Sequence, residues 1–283
     1  MLEAVLPLVR RDLDRFRILE RSIAANFSSL QTCWVVVPDG EWGELAAAIK
    51  HPRYRVVPET EIAPELARCR AKGWYKQQLV KLAVAEHVES EFYLLFDADV
   101  ICARPITQRD LLQDGKALCH RYQGDRHANW YRYAERVLRA KRSGWVHGVT
   151  PMILARRGVF ELAAYIEGFR PRPAPWWKEA VELARGWLRP PTDLNWRRTL
   201  LASLPWTEYA LYFSFLEFAG RFEQYHAHSD VSLCGQSIWK NCSFANWRPS
   251  RDVASQRPFL VVQSIAKIPP QQVMERVEHL FAA

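Results

Sequence analysis

The chain has 283 residues, of which 49% are hydrophobic, 12% aromatic and 25% charged. This composition supports a large buried core, and it excludes an intrinsically disordered chain, a collagen-like repeat and a small disulfide-stabilised scaffold. Lysine and arginine number 39 against 31 aspartates and glutamates, which gives a net charge of +8. A positive surplus favours anionic partners such as nucleotides, nucleic acids and lipid headgroups, without selecting among them.

The start of the chain and its cysteines indicate a cytoplasmic protein. The apolar residues 4–9 precede Arg10 and Arg11, whereas a secretory signal places its basic residues first. The six cysteines form no CxxC pair, so we expect free thiols. No apolar run approaches the ~20 residues that span a bilayer, so we predict no transmembrane helix.

Short apolar runs alternate with helical patterns through the first part of the chain. Strands are predicted at residues 4–9, 33–37, 54–57 and 92–96. Such alternation predicts an α/β fold with a mainly parallel sheet flanked by helices, whose strands are buried on both faces. The uninterrupted apolar run at 92–96 is the clearest of these strands.

A helix is predicted over residues 73–86, directly before the 92–96 strand. One face of this helix is apolar, and the opposite face carries Trp74, Gln77, Gln78 and Lys81 at the spacing i, i+3, i+4 and i+7. This second face is either a solvated polar face or a face that binds a ligand. Both interpretations stay open, although an exposed tryptophan is unusual for the first.

The pattern after residue 115 is looser. A basic aromatic segment, residues 130–145, contains five cationic side chains within eleven residues, more than a core helix carries. Residues 170–206 are rich in proline and tryptophan and predict a series of short elements. Further helices are predicted from about Val159, from Thr207 to about Ala219 and from near Pro270, with a final strand at residues 259–263.

The strongest local signal is Asp97-Ala98-Asp99, which directly follows the 92–96 strand. In a doubly wound sheet, ligands bind beyond the carboxyl ends of the strands. Mg²⁺ and Mn²⁺ prefer carboxylate oxygens together with substrate phosphates, so the pair predicts a metal site beside a diphosphate. The alternative is structural, with one aspartate capping the next turn and the other pairing with Arg104.

The sequence resembles the GT-A fold of nucleotide-sugar-dependent glycosyltransferases, particularly bacterial enzymes of capsule and surface polysaccharide synthesis. The segments that carry the resemblance are residues 5–8, 73–82, 97–99, 150–154 and 206–212. Of these only the DxD motif is diagnostic by itself. The resemblance implies one GT-A-like domain over residues 1–283, with a nucleotide-sugar-binding half at 1–110 and an acceptor-side half, including a helical insertion, at 111–283.

The same resemblance implies roles for particular side chains. Arg10, Gln78, Lys81 and Asp97 are implied to bind the donor nucleotide or its phosphates. Glu208 lies at a predicted helix start, where inverting GT-A enzymes place the general base that takes the proton of the acceptor hydroxyl. The alternative for Glu208 is that a first-turn glutamate only complements the helix dipole.

The histidines and the basic aromatic segment complete the predicted site. A C-terminal histidine completes the metal sphere in a number of GT-A enzymes, so His228 is our preferred ligand and His226 the substitute. A surface pair is an equal alternative, and a zinc site with Cys234 and Cys242 fits no compact zinc module. The 130–145 segment is either a solvated face or an acceptor surface. The acceptor candidates are Trp130, Arg132, Arg136, Arg139 and His147.

Together these features predict a glycosyltransferase of the inverting type, dependent on Mn²⁺ or Mg²⁺, that uses a nucleotide-sugar donor. Its expected acceptor is a glycan or a lipid-linked sugar of surface polysaccharide synthesis, reached from the cytoplasm with peripheral contact to the membrane and no nucleic acid partner. A nucleotidyltransferase would normally need a glycine-rich loop after the first strand, and this chain has none there. A non-catalytic protein that binds anions or nucleic acid would leave the DxD motif unexplained.

Overall fold

The structure is a computed structural model that describes residues 2–125, 127–148, 150–168, 195–250 and 257–281. Most of the proline-rich stretch 170–206 therefore lies outside the described residues. Within the described ranges no helix is long and apolar enough to cross a membrane. All six cysteines are free thiols.

The described residues form an alternating α/β chain, as the sequence predicts. The strands are β1 (Leu2–Pro7), β2 (Leu30–Val37), β3 (Tyr54–Pro58), β4 (Phe92–Leu95), β5 (Val100–Cys102), β6 (Leu112–Gln113), β7 (Lys116–Gln123), β8 (Trp145–His147), β9 (Met152–Ala155), β10 (His226–Ser229), β11 (Cys234–Ile238) and β12 (Phe259–Val262). The helices are α1 (Leu13–Asn26), α2 (Trp42–Ala48), α3 (Glu59–Ile62), α4 (Gly73–Ala83), α5 (Ala128–Leu138), α6 (Arg156–Glu167), α7 (Trp196–Ala202), α8 (Glu208–Phe218), α9 (Phe222–Tyr225) and α10 (Pro270–Val277).

The central sheet has five strands in the order β3-β2-β1-β4-β9. β1, β2, β3 and β4 are parallel, and only β9 runs antiparallel, against β4. Every residue of β1 and of β4 is buried, because helices cover both faces of a parallel sheet. The predicted mainly parallel α/β fold is therefore confirmed.

The strand directions gather several loops at one edge of this sheet. β1, β2 and β4 all end there, since parallel strands share their carboxyl edge. β9 begins at the same edge because it is antiparallel, and its first residue, Met152, pairs with Leu95, the last residue of β4. The loops after Pro7, Val37 and Leu95 and the residues before Met152 thus lie close together.

The second half of the chain contains more strand than the predicted helical insertion. β7 pairs with β6, β8 and β10, and a separate sheet has the order β11-β12-β5. α8 agrees with its prediction: the Thr207 hydroxyl accepts a hydrogen bond from the backbone N–H of Ala210 at 3.4 Å, and Gly220 follows at a φ of 65°. α6 begins at Arg156, three residues before the predicted Val159.

Candidate active site

The two aspartates of the DxD motif lie between β4 and β5, at the gathered edge of the central sheet. Both are partly exposed. Asp97 Oδ2 accepts a hydrogen bond from the Thr150 hydroxyl at 2.8 Å. Asp99 Oδ2 accepts one from the backbone N–H of Ser264, just beyond β12, at 2.9 Å. Loops from three different strands thus fix the two carboxylates, at the position that the sequence predicts.

A buried lysine links this motif to the start of α8. Lys81 Nζ lies 2.8 Å from Asp97 Oδ1 and 2.9 Å from Glu208 Oε1. The side chains of Lys81 and Glu208 are 4% and 3% exposed, whereas that of Asp97 is 39% exposed. The ion-pair chain therefore runs from the protein interior to the surface, and Asp97 is its exposed end.

Gln78 holds the same two helices together one turn earlier on α4. Its side-chain oxygen accepts the backbone N–H of Glu208 at 3.2 Å, and its side-chain nitrogen donates to the Trp74 carbonyl at 3.2 Å. The first-turn N–H groups of a helix have no partner within the helix, so Gln78 satisfies one of them for α8. In this arrangement the buried Gln78 amide binds protein rather than facing a ligand.

Burial and charge shift the acidities of this cluster in opposite directions. Burial alone would lower the pKa of Lys81, but Asp97 and Glu208 outweigh it and hold that pKa well above its usual value. Burial raises the pKa of Glu208, because the single ion pair with Lys81 does not offset the lost hydration. Burial and the neighbouring Asp97 charge raise the pKa of Asp99 to about 7. Crowded, partly desolvated carboxyls of this kind are typical of functional sites.

Two further side chains of the cluster were not assigned from the sequence. The Thr150 hydroxyl lies 2.7 Å from the Tyr209 hydroxyl as well as on Asp97, and Lys81 Nζ lies 5.6 Å from the centre of the Tyr209 ring. Tyr209 could have been found from its place beside Glu208. Thr150 could not, because its position depends on β9 being antiparallel to β4.

The carboxylate oxygens of the two aspartates are ligands that Mg²⁺ and Mn²⁺ prefer, but no third His, Cys, Asp or Glu ligand joins them among the described residues. They contain no group of three or more His, Cys, Asp and Glu side chains that could hold a metal ion. Hard divalent ions are commonly held by one or two carboxylates plus substrate phosphates and water, so a pair is sufficient when the donor provides the remaining ligands. Burial raises the pKa of Asp99, and repulsion from Asp97 adds to the effect, which a bound cation would offset.

The two histidines suggested as metal ligands do not join the aspartates. His226 is fully buried, and its Nε2 lies 3.0 Å from the Tyr212 hydroxyl. Burial lowers the pKa of His226 to about 3, so it is a neutral core residue and the expectation of a metal ligand is wrong for it. His228 is exposed and contacts Asp230 at 3.0 Å, so in this structure it belongs to a surface pair. Cys234 instead lies beside the Thr150 carbonyl, at 3.5 Å.

Three other predicted site residues lie in settings that differ from their expected roles. Glu208 is enclosed and bound to Lys81, whereas a general base must reach the acceptor hydroxyl. His147 is buried, stacks on Phe213 with ring centres 4.4 Å apart and contacts Glu217 at 3.3 Å, so it faces no acceptor. Arg10 is exposed near the carboxyl end of β1 and pairs with Glu44 at 3.0 Å.

A groove beside the DxD motif is lined by the ends of β1 and β2 and by α4. The lining residues are Pro7, Leu8, Val9, Val36, Pro38, Glu59, Gly73, Gln77 and Val80. The lining is mainly apolar, and its polar side chains are Glu59 and Gln77. The groove and the two aspartates lie along the same edge of the sheet.

The predicted acceptor segment is an amphipathic helix, α5, with two different exposed sides. Its buried residues are Tyr131, Ala134 and Leu138. Trp130 lies next to this buried stripe and contacts Trp74 of α4, with ring centres 6.4 Å apart. At about 100° per residue, Arg132 and Arg136 lie roughly 200° and 240° around the helix from Trp130. Arg139 follows the end of α5 at a φ of 52°. The single acceptor surface expected from the sequence is therefore divided in two.

The chain matches one family model and is similar in fold to solved glycosyltransferase structures. The model of a family described as "Family of unknown function (DUF6492)" matches residues 1–283. No curated protein matches the chain. The galactosyltransferase LgtC, solved with donor and acceptor sugar analogs, is 10% identical and superposes with a TM-score of 0.51 over 100% of this chain and 97% of LgtC.

Two further solved structures are similar at lower scores. Mouse xyloside xylosyltransferase 1 in its apo form is 9% identical, with a TM-score of 0.49 over 95% of this chain and 100% of that one. The bifunctional glycosyltransferase WbbM is 9% identical, with a TM-score of 0.46 over 92% of this chain and 45% of that one. The likeness to LgtC shows that the chain has the fold of that glycosyltransferase, which confirms the GT-A-like fold implied by the sequence resemblance.

Proposed function

The chain belongs over its whole length to the DUF6492 family, whose function is unknown, and we propose that it is a glycosyltransferase that takes a sugar from a nucleotide-sugar donor. The observation that carries the proposal is the pair Asp97 and Asp99 at the carboxyl edge of the central sheet, fixed by Lys81, Thr150 and the Ser264 backbone. A fold shared with LgtC supports the class of reaction, since LgtC was solved with donor and acceptor sugar analogs. Fold alone does not determine function, so the proposal rests on the site.

The groove and the aspartates would bind different parts of the nucleotide-sugar donor. The apolar groove at the ends of β1 and β2 would take the nucleoside, and the neighbouring Asp97 and Asp99 would lie at the diphosphate. Mn²⁺ or Mg²⁺ held by these two carboxylates would neutralise the charge that develops on the leaving diphosphate. Arg10 lies near the end of β1 and remains our candidate for a donor contact.

The side chains behind Asp97 keep its carboxylate oriented. Lys81 and Thr150 each bind one of its two oxygens, so rotation of the carboxylate would break a bond. Glu208 in turn holds Lys81 from the buried side. We therefore assign Glu208 as a positioning residue for Lys81 and Asp97, in place of the general-base role. The expectation that the transfer inverts the anomeric configuration depended on Glu208 as the general base. We therefore leave the stereochemistry of the transfer out of the proposal.

The transfer itself exchanges one bond at the donor sugar for another. The oxygen of an acceptor hydroxyl bonds to the anomeric carbon, and the bond between that carbon and the diphosphate oxygen breaks. The nucleoside diphosphate leaves with the electron pair of the broken bond, and the hydroxyl proton passes to a base or to solvent. Lys81 lies 2.8 Å from Asp97 and keeps a positive charge close to the developing negative charge.

The acceptor is proposed to be a glycan or a lipid-linked sugar of surface polysaccharide synthesis. The exposed arginines of α5 support an acceptor or membrane surface that carries phosphate, because guanidinium groups bind phosphate oxygens in pairs. This would place the protein at the cytoplasmic face of a membrane through peripheral contact.

Turnover of nucleotide-sugars tests the proposal. The purified protein is incubated with a panel of nucleotide-sugars, with and without Mn²⁺, and release of nucleoside diphosphate is measured. We expect Mn²⁺-dependent release with at least one donor, and a loss of about 100-fold or more in Asp99→Asn, because several kcal/mol of charge stabilisation are removed.

The matched control is Asp114→Asn. Asp114 is exposed in the turn between β6 and β7 at a φ of 51°, a conformation that asparagine adopts as readily as aspartate. This variant removes the same charge from a turn outside the motif and should release product like the wild type. Release by Asp99→Asn at the wild-type rate, or no release from any donor by the wild type, would contradict the proposal.

A further inference from the structure

Four aromatic rings meet where the first turns of α4 and α5 lie side by side. The Trp74 ring lies 5.1 Å from Tyr75 and 6.4 Å from Trp130, measured between ring centres. Trp130 stacks on His127 at 4.2 Å with an interplanar angle of 5°. We refer to Trp74, Trp130 and His127 as the aromatic platform. It joins residues that lie more than fifty positions apart in the chain.

The platform lies at the edge of the hydrophobic core, against which Trp130 packs. Trp74 is 46% exposed, and Trp130 and His127 are partly exposed. A single exposed tryptophan needs no explanation, as Trp42 illustrates: it is also 46% exposed, and its indole N–H donates to the Val56 carbonyl. A group of neighbouring rings is different, because Trp74, tilted by 41° to Trp130, and the stacked pair of Trp130 and His127 present a preformed aromatic surface.

Two neighbouring faces of α4 show where the platform lies relative to the groove and the DxD motif. Gly73, Gln77 and Val80 line the groove at the sheet edge. The next stripe around the helix carries Trp74, Gln78 and Lys81, which are spaced i, i+4 and i+7. With a rise of 1.5 Å per residue, Trp74 lies about 10 Å along the helix from Lys81. The platform is therefore next to both the proposed donor groove and the Asp97 cluster.

The charge distribution on α5 separates the platform from the arginine-rich side. Trp130 and His127 are three residues apart and lie on one side of the helix, where they approach α4. Arg132 and Arg136 lie roughly 200° and 240° away, as the helical repeat requires. The arginines of α5 therefore face away from the platform, and the cations that flank Trp74 in the sequence are Lys72 and Lys76.

We infer that the aromatic platform is a subsite for a sugar ring of the acceptor. The C–H groups on one face of a pyranose form an apolar surface that packs on an indole, while its hydroxyls stay hydrated or reach polar groups at the rim. A sugar ring on Trp74 would extend the acceptor away from the donor sugar at Asp97. This inference rests on the proposed function and names the acceptor class for the same site.

Saccharide binding to variants tests the inference. Saturation-transfer NMR measures the binding of methyl β-galactoside, methyl α-glucoside, lactose and maltose to the wild type and to Trp74→Ala and Trp130→Ala. We expect the wild type to bind at least one of these saccharides, and each variant to weaken that binding about tenfold, because one stacking surface is lost. Nucleoside diphosphate binding should remain within about twofold of the wild type.

A matched control separates the platform from other surfaces. Trp42→Ala removes an equally exposed tryptophan. This variant should bind the saccharides like the wild type. An equal loss in the control, no loss in the platform variants, or no saccharide bound by the wild type would overturn the inference. A parallel loss of nucleoside diphosphate affinity would overturn it too, because the platform would then bind the donor.

Failure of the inference is distinguishable from failure of the proposed function. If the wild type turns over a nucleotide-sugar while the platform variants bind saccharides normally, only the inference fails. If the wild type turns over no donor, the proposed function fails. Saccharide binding that still depends on Trp74 would then overturn the inference as well, since the bound sugar would not be an acceptor.

Discussion

Two clusters of charge, one around Lys81 and one around Arg121, illustrate what separates a candidate site from a structural ion pair. Arg121 binds Glu217 at 2.6 Å and Glu223, whose side chain is 69% exposed, at 2.7 Å. Its guanidinium lies 4.5 and 3.8 Å from the ring centres of Trp145 and Phe222. Lys81 also binds one enclosed and one exposed carboxylate, but its exposed partner, Asp97, belongs to the DxD motif.

The acidities of the two clusters differ in direction. At Glu217, burial is outweighed by hydrogen bonds from His147 and Arg121, so its pKa lies below the usual value. At Glu208 and Asp99, burial is not outweighed, and both pKa values are raised. Each cation faces two carboxylates, and the Lys81 cluster adds a third, Asp99, beside Asp97. The larger excess of carboxylate lies at the partly exposed DxD motif, which leaves room there for a cation. We therefore assign structure to the Arg121 cluster and function to the Lys81 cluster.

The largest expected effect comes from removing the central cation of each cluster. Lys81→Met and Arg121→Met should each lower the free energy of unfolding by about 3 to 5 kcal/mol, because each leaves a buried carboxylate unpaired. Only Lys81→Met should also abolish turnover by the folded protein. Denaturant unfolding and turnover at a temperature where both variants are folded test this. Loss of turnover in both variants, or in neither, would remove the distinction between the clusters.

A pH effect on stability should come from His226, which packs against Phe213 and Phe222 near the Arg121 cluster. Its pKa is about 3 when folded, against an ordinary value of 6.5 when unfolded. Below pH 6.5 only the unfolded chain binds this proton, so the free energy of unfolding should fall by about 2 kcal/mol from pH 8 to pH 5 through this group.

The control for this effect is His226→Gln, which does not titrate. Its stability should depend less steeply on pH over the same range, while the contributions of other groups such as His147 stay in both proteins. Equal pH slopes for the wild type and His226→Gln would show that the histidine is accessible to protons in the native state. The metal-ligand role that burial argues against would then regain support.

The smallest of these effects separates positioning from base catalysis at Glu208. Glu208→Gln keeps the shape of the side chain and removes a charge whose burial is unfavourable. As a positioning residue it should weaken Mn²⁺ affinity about tenfold, in the range seen when groups that orient metal ligands are changed. A general base would instead lose the chemical step with Mn²⁺ affinity intact. Glu217→Gln, from the structural cluster, should change neither quantity.

The sequence was sufficient for the sheet and for the motif at its edge. An apolar run such as Phe92–Leu95 is buried on both faces, and few other structures explain such a run followed by two aspartates. The contact between Lys81 and Glu208 was not predictable, because it joins residues 127 positions apart and depends on how α4 and α8 pack. The same holds for Thr150, whose place depends on the direction of β9.

Two errors in the site had different origins. The helical repeat already places Trp130 away from the α5 arginines, so the divided surface of that helix was readable from the sequence. The burial of His226 could not be predicted from the sequence. The alternation of side chains along a strand places His226 and His228 on the same face of β10, but it does not show which part of that face is covered. Local periodicity predicts which residues lie together, and only the tertiary packing decides which of them meet solvent.

Direct binding of Mn²⁺ tests the central claim, that Asp97 and Asp99 hold a divalent cation together with the donor diphosphate. Electron paramagnetic resonance titration of free Mn²⁺ compares the wild type, Asp99→Asn and Asp114→Asn, each with and without a nucleoside diphosphate that the wild type binds. The account predicts saturable Mn²⁺ binding that the nucleotide strengthens in the wild type and in Asp114→Asn, and its loss in Asp99→Asn. Mn²⁺ affinity that is equal in all three proteins would contradict it.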